Sequence, residues 1–425
     1  MIQKVRGTRD FFGGDGRLFS RVEESARKIF QRYGIQQIRT PIFEETTLFT
    51  RSIGETTDIV SKEMYTFADR KGRSLTLRPE GTASVVRFLV EEKMQIVDTV
   101  KMFYLGPMFR YERPQAGRYR QFHQFGIEYF GSPSAAADAE VIAVGHSLLG
   151  DLGLLDRTTL LVNSLGCPAC RPAYLDKLKS FLVSAADRLC EECRDRVDRN
   201  PLRCLDCKRE GCVSVYESAP AVSETLCDAC RSHDTALKQL LTDSGVAFVV
   251  RDRLVRGLDY YVRTVFEFVT TDLGAQDAVI AGGRYDGLVR SLGGPDTPAV
   301  GFAGGIERLI ELLKLREQSG VAAPAGGVAV FVVSSDDGAI RRKAFQLVER
   351  VRSAGWSAEW SLSDGKSFKS QFRAADKSGA KAVVILGEDE SKQGNVAVKN
   401  MATGEQVVAP EAALIETIQK ILGAS

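Results

Sequence analysis

The chain has 425 residues, 44% of them hydrophobic and 26% charged, which suits two or three globular domains with substantial cores. A net charge of +2 excludes nucleic-acid binding through bulk charge, so any such contact would rest on local basic patches. No stretch approaches the roughly 20 apolar residues of a spanning helix, and the opening Met1-Ile2-Gln3-Lys4-Val5-Arg6-Gly7 lacks the apolar core of a signal peptide; no membrane association and a cytoplasmic location are the expectation.

In chain order, Leu18, Val22, Ala26, Ile29 and Phe30 recur at helical spacing over 18–33, with Gly34 as the stop. A strand over 35–38 follows and reaches Pro41. Leu77-Arg78-Pro79-Glu80-Gly81-Thr82 is a polar turn before a helix over 83–90, which Thr82 is suited to cap. Stretches 101–112 and 121–130 read as an antiparallel hairpin with a long polar loop, Arg113-Pro114-Gln115-Ala116-Gly117-Arg118-Tyr119-Arg120. Strands with interspersed helices through residue 166 predict an α+β domain on an antiparallel sheet. Residues 167–248 break that rhythm: they are rich in cysteine and charge, and helical where any period shows. They read as an insertion, with the first domain (1–166) resuming over 249–317. Residues 318–327, with Gly320, Pro324, Gly326 and Gly327, read as a linker. From 328 to 425, a strand at 328–333 precedes a helix with Ile340, Ala344, Leu347, Val348 and Val351 on one face. A strand near Trp360, a helix around Phe372 and a strand over 382–386 complete a βαβαβ pattern, so a small parallel-sheet domain is predicted.

All nine cysteines lie between Cys167 and Cys230, and eight form CxxC pairs. The odd number, the clustering and the absent export signal argue against disulfides. Cys190-x2-Cys193 and Cys204-x2-Cys207 have the spacing of a zinc knuckle, and Cys167-x2-Cys170 and Cys227-x2-Cys230 could form a second site. Metal-free thiols at helix ends in a reducing cytosol are the alternative. Dithiol redox chemistry is a third reading, disfavoured by four pairs.

The strand over 121–130 alternates Phe122, Gln124, Gly126 and Glu128 on one face with His123, Phe125, Ile127 and Tyr129 on the other. Arg110 and Glu112 add charge of both signs from the facing strand. A solvated sheet surface would explain that alternation, but Gly126 between Gln124 and Glu128 leaves room for a ligand. Arg256-Gly257-Leu258-Asp259-Tyr260-Tyr261 and Ala281-Gly282-Gly283-Arg284-Tyr285-Asp286-Gly287 suggest a pocket for a small polar molecule. Gly301-Phe302-Ala303-Gly304-Gly305-Ile306-Glu307-Arg308-Leu309 runs a small-residue strand into a helix with arginine in its first turns, which suits phosphate. Gly365-Lys366-Ser367 looks like the end of a Walker A loop, but Trp360 stands where the first glycine belongs.

Over nearly its full length the chain resembles histidyl-tRNA synthetases, a class II aminoacyl-tRNA synthetase family. Pro41 lies in text similar to motif 1, a dimer-interface element. Phe109-Arg110-Tyr111-Glu112-Arg113-Pro114 resembles motif 2, and Gly301–Leu309 resembles motif 3. Arg256–Tyr261 and Ala281–Gly287 resemble the two signatures peculiar to the histidine enzymes. The resemblance implies an antiparallel-sheet catalytic domain with a helical insertion and a C-terminal α/β anticodon-binding domain. It implies a homodimer that joins L-histidine to its cognate tRNA through histidyl-adenylate, with ATP as substrate and Mg2+ accompanying it.

By the same resemblance, Arg110, Arg256 and Arg308 are the catalytic cations. Histidine would be held by Glu80, Gly81, Thr82, Arg110, Gln124, Glu128, Arg256, Tyr260 and Tyr261, with Tyr285 shaping the pocket. ATP would be held by Arg110, Glu112, Arg118 and Arg308. Gln115, Arg118 and Arg120 would grip the tRNA acceptor end, and residues 328–425 the anticodon stem-loop. Structural Zn2+ at Cys190, Cys193, Cys204 and Cys207 is an expectation from spacing alone. A catalytically dead relative would lack the anticodon domain and typically lose signature residues, whereas a zinc-dependent nucleic-acid-binding module would leave the pocket motifs unexplained.

Overall fold

A computed structural model of the chain describes residues 1–54, 57–112, 119–274, 278–318 and 328–423. It divides into two compact units, Met1–Ser319 and Gly320–Ser425. The first is built on an eight-stranded sheet. Across it run Gln36–Gln37, Val100–Phe109, Gln121–Phe130, Ala299–Gly305, Ala278–Arg284, Val262–Val269, Thr159–Ser164 and Val249–Val250. The six long strands pair antiparallel, and only the two-residue edge strands pair parallel. The strand expected over 35–38 thus shortens to Gln36–Gln37, although Ile38 N–H still bonds Phe103 O at 2.8 Å.

Side-chain alternation divides this sheet into two chemistries. Phe103, Phe125, Ile127, Tyr129, Phe266, Phe268 and Phe302 face one way, into an apolar core with helices Gly14–Arg32, Ala135–Leu152 and Ile306–Gln318. The first helix carries its five periodic apolar residues buried and stops before Gly34, whose φ of +68° suits glycine. The opposite face, with Gln124, Glu128, Gly301 and Ala303, floors a cavity.

Between Thr159–Ser164 and Val249–Val250 the chain forms short helices, chiefly Arg171–Ser184, Glu191–Arg199, Glu210–Tyr216 and Asp228–Asp243. They enclose a small core of their own, in which Tyr174, Leu178, Leu182, Val215 and Tyr216 pack with buried cysteines.

In the second unit, Ala358–Trp360, Val330–Ser334 and Ala382–Leu386 pair in parallel, and the helix Gly338–Ser353 buries the five residues its period singles out. The sheet is mixed rather than parallel. Asn395–Asn400 and Gln406–Pro410 add two antiparallel strands, reversed by a turn in which Asn400 Oδ1 accepts from Ala402 and Thr403 N–H and Gly404 takes φ +75°. Residues 319–327, and so nearly all of the expected linker, lie outside the described residues.

Candidate active site

The polar face of the large sheet opens into a cavity of about 760 Å³. Glu80, Thr82, Arg110, Glu112, Gln124, Glu128, Arg256, Tyr260, Tyr261 and Arg308 all line it. Residues scattered over more than 200 positions of sequence therefore meet in one place. Gln115 and Arg118 fall outside the described residues. Arg120 stacks its guanidinium 3.9 Å from the centroid of the Tyr111 ring.

The acidic cluster is knit by hydrogen bonds. Glu128 is fully buried; its Oε1 accepts from Thr82 Oγ1 at 2.6 Å and its Oε2 accepts from the Tyr285 hydroxyl. Burial pushes the Glu128 carboxyl up to about 8, against the lowering effect of those two donors. Thr82 does not cap its helix as expected. The cap comes from Glu80, whose carboxylate accepts from Thr82 N–H at 2.7 Å and Ala83 N–H at 2.8 Å, freeing the Thr82 hydroxyl for Glu128. Burial raises the Glu80 pKa while the two backbone donors pull it down. Tyr260 stacks against Tyr261 and Tyr285, with centroids 4.6 and 5.5 Å apart.

The space expected over Gly126 is not open to a ligand. Tyr104 stands directly across the strand pair, and its buried ring fills the room left by both Gly126 and Gly81, where a Cβ would overlap it. Gly301 does the same for Glu128, leaving room for its carboxylate. These glycines let the pocket wall close around aromatic and acidic groups. Gln124 keeps a buried amide oxygen with no hydrogen-bond partner among the described residues, a group that suits a ligand donor.

The three arginines are each held in place. Arg110 Nε donates to Pro79 O at 2.9 Å and its guanidinium lies over Phe122. Arg308, third residue of its helix, donates to Ala278 O. Arg256 pairs with Glu267. Burial disfavours the Arg256 charge, but Glu267 outweighs it and raises the pKa above the ordinary value. No motif in the sequence marks Glu267, though it is the one acidic residue in the strand Val262–Val269. Arg284, by contrast, serves the scaffold: fully buried, it reaches Asp138, Asp286 and the Ser132 and Ser134 carbonyls.

The cysteines gather into two groups of four. Cys167, Cys170, Cys227 and Cys230 form one, as the spacing suggested; Cys190, Cys193, Cys207 and Cys212 form the other, and within each group all sulfurs lie within 4.8 Å of one another. The second group corrects the expected set. Cys204 is excluded because its fully buried thiol turns to the Cys193 carbonyl at 3.4 Å, and Cys212 takes its place. Cys212 is the one cysteine outside any CxxC pair, and nothing but its being left over hinted at it.

Comparison with known proteins accords with this geometry. A family model described as histidyl-tRNA synthetase matches residues 7–309, and one described as an anticodon binding domain matches residues 327–421. The chain is 50% identical over 423 residues to the histidine–tRNA ligase of Halothermothrix orenii, covering 99% of this chain and 100% of the relative. It is 50% identical to that of Solidesulfovibrio magneticus, covering 95% and 94%. Among solved structures, the apo histidyl-tRNA synthetase of S. aureus superposes with a TM-score of 0.79 at 34% identity, covering 99% of this chain and 100% of that one. On its sequence, fold and assembled pocket, the chain belongs to the histidyl-tRNA synthetase family.

Proposed function

We propose a division of labour within the cavity for the family's reaction, the ATP-dependent attachment of L-histidine to its tRNA. The observation that carries it is that one cavity combines a buried acidic cluster with three anchored arginines. Glu80, Thr82 and Gln124 receive the α-ammonium group, with Gly81 forming the turn. Glu128 and Tyr261 face the imidazole, whose neutral ring offers one donor and one acceptor, and Tyr260 and Tyr285 shape the pocket. A ligand lacking those nitrogens would forfeit its bond to Glu128, whose carboxyl Thr82 and Tyr285 already hold in place, and that loss discriminates against it.

Histidine's carboxylate attacks the α-phosphate of ATP, forming the acyl–phosphate bond of histidyl-adenylate and releasing pyrophosphate. The tRNA terminal ribose hydroxyl then attacks the acyl carbon and AMP leaves. Arg110 and Arg256 oppose the charge that grows on the α-phosphate, and Arg308 holds the γ-phosphate. Preorganised cations of this kind need no rearrangement at the moment of reaction. Glu112 and Glu267 supply hard oxygen donors suited to the Mg2+ that arrives with ATP and offsets phosphate charge.

Residues 1–166 and 249–317 form the catalytic domain, 167–248 the insertion and 328–425 the anticodon-binding domain. The insertion carries structural zinc on its two cysteine groups. The enzyme works as a homodimer through the Pro41 region, where Ile42, Phe43 and Phe67 are exposed. Among the described residues no helix is long and apolar enough to cross a membrane, and the reaction's substrates argue for the cytoplasm. Histidine-dependent ATP–pyrophosphate exchange tests the reading; exchange with another amino acid, or none, would refute it.

A further inference from the structure

We propose that the two cysteine groups each bind one zinc ion and that these ions position the substrate-binding segment Arg256–Tyr261, making histidine activation depend on metal held by the insertion. This rests on the assignment of that segment to the substrate pocket.

The sulfur geometry suits zinc. Four thiolates at about 2.3 Å from a tetrahedral ion stand about 3.8 Å from one another. Cys167 lies 3.8 Å from both Cys170 and Cys227, and Cys170 lies 3.8 Å from Cys230; Cys190 and Cys207 are 4.0 Å apart. Further donors already point at the sulfurs, as thiolate ligands require. Cys167 N–H donates to Cys170 Sγ and Cys190 N–H to Cys212 Sγ, both at 3.2 Å, and the Tyr216 hydroxyl donates to Cys193 Sγ at 3.1 Å.

Each group sits at the base of an arm that grips the signature segment. The first ties the start of the insertion to the start of its last helix, and Arg171, next after Cys170, donates to Tyr261 O. The second closes both ends of the stretch between Cys193 and Cys207. From that stretch Arg203 pairs with Asp259 at 3.0 Å and Asn200 bonds the same carboxylate at 3.2 Å. Just beyond Arg203, Leu205, Asp206, Cys207 and Lys208 line the cavity itself. Asp259 and Tyr261 flank Tyr260, so both arms bear on the side chains that enclose the imidazole. The insertion's own apolar core is small and gives the arms little other anchorage.

No residue assigned to adenylate formation lies in this insertion, yet its contacts tie the insertion to the pocket. Misplacing a substrate-holding group by about 1 Å can cost on the order of a hundredfold in rate. Arg171, Asn200 and Arg203 are positioning residues in this scheme.

The test uses the full-length protein purified without added metal. Elemental analysis should find two zinc ions per chain, with the eight ligand thiols slow to react and Cys204 the ninth. Cys212→Ser should lose one zinc and raise the histidine KM on the order of tenfold, with a smaller effect on the ATP KM. Cys204→Ala should keep both ions and normal exchange. If Cys212→Ser fails to fold, Arg203→Ala still decides the matter: it should keep two zinc ions yet raise the histidine KM, with Arg203→Lys restoring part of the loss. Metal-free active protein, ligand thiols found as disulfides, or Arg203→Ala and Cys212→Ser with unchanged histidine KM would each overturn the proposal. Absence of histidine-dependent exchange in the unaltered, zinc-loaded protein would instead overturn the reading of the pocket.

Discussion

Arg256 and Glu128 carry opposite electrostatic tasks, and each yields a prediction. In the proposed mechanism Arg256→Ala removes a cation aimed at charge that grows only in the transition state, so pyrophosphate exchange should fall on the order of a hundredfold or more. The fold should survive, although Glu267 loses its partner; near-normal exchange would remove Arg256 from the catalytic set. Glu128 titrates near 8 in the folded protein, above the roughly 4.3 of an unfolded chain. Between those values the folded state keeps a proton that the unfolded state has given up. This contribution to stability is therefore complete below the lower value and is lost as pH rises through the upper one. Glu128→Gln stays neutral throughout and should flatten the ligand-free melting temperature against pH between about 5 and 8. A slope identical to that of the unaltered protein would show that Glu128 is not buried with its proton.

The helix Thr82–Glu91 shows how one element joins stability to specificity. Glu80→Ala uncaps two backbone N–H groups and should cost about 1–2 kcal/mol, seen as a lowered melting temperature together with a raised histidine KM. Thr82→Ala keeps the cap and should change the histidine KM with little effect on melting; equal destabilisation by both would return the capping role to Thr82. The same turn marks what was legible beforehand. Its glycine and its helix start could be read from local sequence, and so could the alternation that turns Glu128 and Gln124 to one face. Which of Glu80 and Thr82 caps could not, because the choice depends on Glu128, 46 positions away, accepting the threonine hydroxyl. Tyr104 escaped notice for a similar reason: only strand register puts it opposite Gly126. The CxxC spacing points to Cys204, but spacing says nothing about which way a thiol turns, and Cys204 turns to a carbonyl. Periodicity reveals a face; it does not reveal what lies across from it.

For the whole molecule, the exposed pair Phe43 and Phe67, with ring centroids 6.5 Å apart, offers an apolar surface for the proposed homodimer. Replacing both with Asp should yield monomers by analytical ultracentrifugation at micromolar concentration, with activity falling in step; a variant that stays dimeric would move the interface elsewhere. The second unit, with its own core, should serve tRNA rather than adenylation. Its basic residues divide on inspection. Arg341 is engaged by Asp336 and Asp364 and stacks on Trp360, and Lys343 pairs with Glu411, so both are committed within the domain. Arg342, Lys366, Lys369 and Arg373 remain exposed and are the better phosphate contacts. Reversing Lys366, Lys369 and Arg373 together to Glu should raise the tRNA KM at least tenfold and make charging less sensitive to added salt, because fewer phosphate contacts release fewer counterions. Pyrophosphate exchange should be unchanged in that variant, because every residue assigned to adenylate formation lies in the first unit. Deleting 328–425 should give the same split more severely, with tRNA charging lost and exchange largely kept. Equal loss of both activities in a well-folded truncation would mean that the second unit supports the catalytic core and that recognition of tRNA lies elsewhere on the chain.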